Sequence, residues 1–187
     1  MKKLILSVML LCGLALPMSA ANAGGAFKLS LWDNWAVSIP GDIYHIEGVD
    51  LGIGSRSPLM TGFQWDLMWA ESEQLTGFSW AFGISKTGYA QGLQLAFVNM
   101  ANDISGMQWG AVNMTADMTG LQLGGVNMST SSIVGVQLGF YNQAGYINGV
   151  QFGLVNYAKY IYGLQLGLFN IAENGYLPAM VFINGRF

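Results

Sequence analysis

The chain has 187 residues, of which 52% are hydrophobic and only 9% are charged. Ordinary soluble domains carry roughly 25% charged residues, so this composition is unusual for a soluble domain. Ten acidic residues outnumber seven basic ones, and the formal net charge is −3. No basic patch stands out, which excludes a nucleic-acid-binding protein.

The first 23 residues have the composition of a secretory signal peptide. Two lysines precede an apolar run over 4–16, and an A-x-A cleavage site ends at Ala23. The apolar run is shorter than the roughly 20 residues that a transmembrane helix needs. We therefore expect residues 24–187 to form one exported domain in the outer membrane or on the cell surface of a Gram-negative-type bacterium.

The mature chain begins with a predicted strand over 27–36. Phe27, Leu29 and Leu31 alternate there with polar residues, and a period of two is typical of a strand. Pro-Gly-Asp at 40–42 then predicts a turn. Degenerate repeats follow over 48–91, with copies that begin at Gly48, Gly62 and Gly77.

Regular repeats occupy 92–174, where one eight-residue phrase recurs six times at spacings of 14, 14, 15, 14 and 14 residues. A fixed short period indicates that one supersecondary unit is repeated. Its copies are GLQLAFVN from Gly92, GMQWGAVN from Gly106, GLQLGGVN from Gly120, GVQLGFYN from Gly135, GVQFGLVN from Gly149 and GLQLGLFN from Gly163.

Within each copy, bulky apolar side chains alternate with small or polar ones. When the opening glycine is position 1, positions 2 and 4 are apolar, position 3 is glutamine and position 8 is asparagine. Such alternation places the two classes on opposite faces of a strand, so the sequence predicts an all-β fold. The candidate site residues are Gln94, Gln108, Gln122, Gln137, Gln151, Gln165, Asn99, Asn113, Asn127, Asn142, Asn156 and Asn170.

The favoured fold is an antiparallel up-and-down β-barrel of about 10–12 short strands. The triplets 101–103, 115–117, 144–146 and 158–160 would be hairpin loops, which would keep the faces of successive strands in phase. In lipid only helices and closed barrels satisfy every backbone amide. The apolar face would then contact membrane lipid, and the glutamines would line the lumen, giving a structural or narrow-channel role.

The alternative is a surface β-solenoid that mediates adhesion or assembly, with one 14-residue coil per repeat. Parallel stacking would place identical side chains above one another, so the glutamines and asparagines would form hydrogen-bonded ladders. The similar length and orientation of all the copies favour this fold. The scarcity of charge favours the barrel, because large apolar patches are unusual on soluble proteins.

A terminal strand is predicted over 177–187. Its alternation and its final Phe187 resemble the C-terminal signal of outer-membrane barrel proteins, which implies a membrane-assembly role for Phe187 and the outer-membrane assembly machinery as a partner. The tandem GLQLGLVN-like units, behind a signal peptide and an LSLW opening, resemble the bacterial surface-repeat proteins. That resemblance implies export to the envelope or surface and assigns no activity. Asp50 and Ser79 depart from the pattern by replacing the glutamine.

No catalytic, cofactor or metal site is predicted, and we expect no enzyme activity. The single histidine, His45, shares its region with several serines, but nothing in the sequence holds it as a base for a nucleophile. Glu71, Glu73 and Asp66 could chelate calcium, although a charged loop explains them better. The only cysteine, Cys12, lies in the leader, so the mature chain has no thiolate ligand.

Overall fold

The computed structural model describes residues 24–187, and the predicted signal peptide lies outside the described residues. These residues are almost entirely β-strand, so the prediction of an all-β chain is confirmed. Among them, no helix has the length and hydropathy needed to cross a membrane. The strands are β1 (Gly25–Trp32), β2 (Trp35–Ile39), β3 (His45–Arg56), β4 (Leu59–Ala81), β5 (Ile84–Leu95), β6 (Val98–Leu138), β7 (Tyr141–Phe152), β8 (Val155–Ala172) and β9 (Ala179–Arg186).

All nine strands belong to one sheet with the order β2-β1-β3-β4-β5-β6-β7-β8-β9. From β3 to β8 the neighbouring strands are parallel, and each repeat lies in register on the next. Gly48 pairs with Gly62 at one end of the stack, and Gly149 pairs with Gly163 at the other. Each repeat is therefore one coil of a β-solenoid of about nine turns.

The predicted antiparallel barrel is wrong, and the alternative solenoid describes the fold. The triplets predicted to be hairpin loops do not reverse the chain. Residues 101–103 and 115–117 lie inside β6, residues 144–146 inside β7, and residues 158–160 inside β8. The physical reason is pairing, because identical amide side chains bond to each other along a column only when the copies are parallel and in register.

The glycine at position 1 of each coil allows the chain to bend and the coils to approach closely. Gly149 has a φ of 149°, and a Cβ atom built on it would lie 1.8 Å from the carbonyl oxygen of Gly135 in the preceding coil. A side chain is therefore excluded by both conformation and space. A positive φ is shared by Gly48, Gly62, Gly77, Gly92, Gly106, Gly120, Gly135, Gly149 and Gly163.

Antiparallel strands close both ends of the sheet. At the N-terminal end β2 pairs with β1, and at the C-terminal end β9 pairs with β8. A turn around Asn174 and Gly175 carries the chain from β8 to β9. Phe187 follows β9 and is 77% exposed. The solenoid therefore ends in short strands that differ from its coils.

The interior contains one continuous apolar column, with one side chain from each coil. Each member precedes the opening glycine by two residues, so it points inward on the same face as that glycine. Burial of this column supplies hydrophobic stabilisation along the whole rod. Its members are Ile46, Met60, Leu75, Ala90, Ile104, Met118, Ile133, Ile147 and Ile161.

Gly149→Ala should destabilise the solenoid strongly, because its Cβ atom collides with backbone and its φ is unfavourable for alanine. We expect a loss of more than about 2 kcal/mol in the free energy of unfolding, measured by urea denaturation. Gly41→Ala is the matched control, since no atom lies within 4 Å of its added Cβ. A loss for Gly149→Ala no larger than that of the control would contradict the close coil contact.

Candidate functional site

The glutamines at position 3 form a continuous ladder inside the solenoid. Gln151 Nε2 donates to Gln137 Oε1 at 2.7 Å and also to the backbone oxygen of Tyr157 at 3.1 Å. The ladder glutamines are fully buried, so their amides depend on these partners. The same Gln–Gln bond of 2.7–2.9 Å joins each neighbouring pair among Gln94, Gln108, Gln122, Gln137, Gln151 and Gln165.

The asparagines at position 8 form a second ladder, which is also fully buried. Asn142 Nδ2 donates to Asn156 Oδ1 at 2.8 Å and to the backbone oxygen of Phe152 at 3.0 Å. The second bond joins position 8 of one coil to the backbone of position 4 in the next coil. Bonds of 2.8–2.9 Å connect Asn99, Asn113, Asn127, Asn142, Asn156 and Asn170 in sequence.

The two ladders run in opposite directions. Each glutamine donates toward the N-terminal end, whereas each asparagine donates toward the C-terminal end. Each ladder therefore finishes on one acceptor without a partner among residues 24–187, Gln165 Oε1 at one end and Asn99 Oδ1 at the other. Apart from these ends the amides are satisfied within the protein, so the glutamines face a packed interior instead of the predicted lumen.

The small residue at position 5 makes room for the asparagine ladder. A Cβ atom on Gly153 would lie 2.6 Å from Asn142 Nδ2 and 2.2 Å from the backbone oxygen of Gly139. Glycine is therefore required where the asparagine amide crosses between coils. The crowding that glycine relieves at this position comes from the preceding coil.

Charged and hydroxyl side chains replace the ladders near the N-terminal end. In the glutamine column, Lys28 pairs with Asp50, which pairs with Gln64. Lys28 Nζ lies 3.8 Å from Asp50 Oδ2 and donates to Ser57 Oγ at 2.9 Å. Ser57 Oγ in turn donates to Asp50 Oδ2 at 2.6 Å. Since Lys28, Asp50 and Ser57 are all 0% exposed, this cluster is a buried ion pair with hydrogen bonds on both partners.

Burial also shifts the proton equilibria of this cluster. Loss of solvation raises the pKa of Asp66 to about 8, and the nearby Asp50 carboxylate acts in the same direction. Loss of solvation lowers the pKa of Lys28, while the Asp50 carboxylate opposes that shift. Asp66 is therefore predominantly protonated in the folded protein at neutral pH.

The contact between Lys28 and Ser57 has the composition of a serine–lysine catalytic pair, in which a lysine activates a hydroxyl nucleophile. Neither side chain is accessible to a substrate, since both are 0% exposed. Sequence reasoning missed this cluster. Two signals pointed to it: Lys28 lies opposite the apolar face of the first strand, and Asp50 replaces a ladder glutamine.

The other candidates from the sequence do not form a site. His45 Nε2 lies 3.2 Å from Glu47 Oε1 at the surface. Glu71 pairs with Lys86 at 3.3 Å, while Asp66 is buried. Within the described part of the chain, no three His, Cys, Asp or Glu side chains could hold a metal ion together.

Positions 2 and 4 of the nine coils form one surface, which we call the outer apolar face. None of its eighteen side chains is charged, and none is buried. Aromatic rings stack along it where Phe63 and Phe78 lie parallel, with ring centroids 5.2 Å apart. Its members are Val49, Leu51, Phe63, Trp65, Phe78, Trp80, Leu93, Leu95, Met107, Trp109, Leu121, Leu123, Val136, Leu138, Val150, Phe152, Leu164 and Leu166.

Gln122→Leu should break the glutamine ladder at its middle. The substitution strands the Gln108 acceptor and one Gln137 donor hydrogen inside the solenoid. Each stranded group costs about 1–3 kcal/mol, so we expect a loss of about 2–5 kcal/mol in urea denaturation. Gln91→Leu makes the same chemical change at an exposed position and should cost less than about 0.5 kcal/mol. Equal losses in the two variants would show that the ladder adds no stability.

Asp66→Asn should flatten the pH dependence of stability. With a folded pKa of about 8 against an ordinary value of 3.8, the folded protein keeps a proton that the unfolded chain has released. Stability should therefore fall as pH rises from 4 to 8, by at most about 1.4 kcal/mol per pH unit for one proton. Above pH 8 this contribution stays constant.

Denaturation curves at pH 5, 6, 7 and 8 measure that slope for the parent and for Asp66→Asn. Asp117→Asn is the control, because hydrogen bonds from serine hydroxyls lower the pKa of Asp117. Asp117 therefore affects the pH dependence of stability only in more acidic solutions. The control should keep the parent slope. A parent-like slope in Asp66→Asn would mean that Asp66 is already ionised in the folded protein.

Comparisons with protein families, with curated proteins and with solved structures give no match. Within residues 24–187 the two amide ladders are internal, whereas solvent reaches the outer apolar face.

Proposed function

We propose that this chain is an exported surface β-solenoid without enzyme activity, and that it serves as an assembly or adhesion element of the cell envelope. The outer apolar face carries this proposal. A row of eighteen partly exposed apolar side chains without a charge is typical of an interaction surface, because monomeric soluble proteins rarely expose so large a patch. The signal-peptide composition and the resemblance to bacterial surface-repeat proteins support the location.

The interior supports a mechanical role. One apolar column runs through all nine coils, and two ladders of charge-free amides join the six coils that begin at Gly92 through Gly163, so each of these six is fixed to its neighbours in the set by the same bonds. Hydrogen-bonded networks in a medium of low dielectric constant strengthen one another. The coils thus form a stiff support that holds the outer apolar face in a constant orientation.

Surface assembly is tested by cross-linking on intact cells. A membrane-impermeant, amine-reactive reagent can reach the exposed lysines Lys86 and Lys159. We expect complexes heavier than one chain, and about tenfold less of them in Trp80→Glu, which places a charge on the outer apolar face. Tyr89→Glu is the control, since Tyr89 is 62% exposed elsewhere on the coil. A chain that the reagent does not reach, or that it labels only as a monomer, would contradict the proposal.

A further inference from the structure

We propose that the partner of the outer apolar face is a second copy of this chain, packed face to face with its solenoid axis antiparallel to the first. This inference rests on the proposed assembly function and names its partner. Three properties of the face lead to it: the charge around it, its area, and the difference in shape between its two halves.

The charge distribution favours a protein partner over an anionic lipid surface. Helices and patches that bind anionic membranes combine apolar side chains with Lys and Arg. Here the accessible bases are fewer than the accessible acids. The bases are Arg56, Lys86, Lys159 and Arg186, and the acids are Asp33, Asp42, Glu47, Glu71, Glu73, Asp103, Asp117 and Glu173. A second copy has no such requirement, because neither face carries a charge that would be buried.

The area of the face matches what a stable dimer needs. Strands lie about 4.8 Å apart, so the nine coils with β1, β2 and β9 extend the face to about 50 Å. Val37 and Ile39 on β2 prolong it at one end, and Ile183 on β9 prolongs it at the other. Two columns of side chains are about 14 Å wide, so each copy offers about 700 Å². Two such faces bury about 1,400 Å², within the range of specific interfaces.

The two halves of the face are complementary in shape. The N-terminal half carries a ridge of large rings, Phe63, Trp65, Phe78 and Trp80. The C-terminal half carries mainly aliphatic side chains beside an apolar groove whose floor is glycine. That groove is lined by Phe140, Phe152, Leu154, Leu166, Leu168 and Phe182. Antiparallel packing places each ridge over the smaller, mainly aliphatic side chains of the other copy and alongside its groove, whereas parallel packing places ridge against ridge.

The symmetry of this dimer selects one central residue. A two-fold axis between the faces and parallel to the strands exchanges the first coil with the ninth and leaves the fifth coil opposite itself. The fifth coil begins at Gly106, and Trp109 is its most exposed apolar residue at 58%. Tryptophan near the centre of an interface contributes disproportionately to affinity. The geometry therefore assigns Trp109 as the anchor of the interface.

The mass of the purified full chain, measured by light scattering from about 0.1 to 50 µM, tests the partner. We expect a dimer in the parent. Trp109→Glu brings two carboxylates together at the axis and should raise the dissociation constant at least about 100-fold. Tyr160→Glu, at a residue that is 51% exposed away from this face, should leave the dimer intact. A monomeric parent, or a dimer unaffected by Trp109→Glu, overturns the inference.

Disulfide formation tests the orientation. In a Cys12→Ser background, Phe63→Cys lies in the second coil and Val150→Cys in the eighth, so antiparallel packing places them opposite each other across the interface. Chains with these two substitutions should form disulfide-linked dimers only when they are co-expressed. Each chain linking to itself when expressed alone would indicate parallel packing and overturn the inference.

The two proposals fail separately. A monomeric parent whose surface complexes are still lost in Trp80→Glu would mean that another envelope component or a neutral lipid covers the face, which refutes the dimer and keeps the assembly function. A dimer in solution without any complexes on intact cells refutes the surface function and keeps the dimer.

Discussion

The structure depends on one requirement, that a buried amide side chain must find a partner. A glutamine at position 3 cannot be solvated inside a coil, and its own coil supplies only part of the partners that its amide needs, as when the backbone oxygen of Tyr157 accepts from Gln151. The same residue of the next coil is the available partner, as when Gln151 donates to Gln137 at 2.7 Å. That bond forms only if the coils are parallel and in register, so one side-chain requirement selects the direction of the strands from β5 to β8.

The other features of the coil follow from that register. Coils that stack through their backbones bring the carbonyl of one position-1 glycine against the Cα of the next, so a side chain there is excluded. The position-5 glycines leave space for the asparagine amides. Where the glutamine column stops, Lys28 and Asp50 replace an amide pair by an ion pair, and serines occupy the remaining hydrogen-bonding capacity. The N-terminal end of the glutamine column is thus occupied by groups that the repeat itself does not contain.

Much of this organisation could be predicted from the sequence. The alternation assigned Leu93 and Leu95 to one face and Gln94 to the other, as the structure has them. The sequence could not decide what encloses the glutamines, because a strand period of two is the same in a barrel and in a coil. The scarcity of charged residues favoured a barrel whose apolar face contacts lipid, although protein can equally cover an apolar surface. The Lys28 and Asp50 pair was missed because the two residues lie on different strands, β1 and β3, and only the register brings them together.

The opposed directions of the two ladders affect how long such a rod can become. Side-chain amides aligned head to tail would add up to a dipole that grows with every coil, as peptide dipoles do in a helix. Here the dipoles of Gln151 and Asn142 point opposite ways, so their sum stays near zero however many coils are stacked. The molecule can therefore gain or lose whole 14-residue units without accumulating partial charge at its tips.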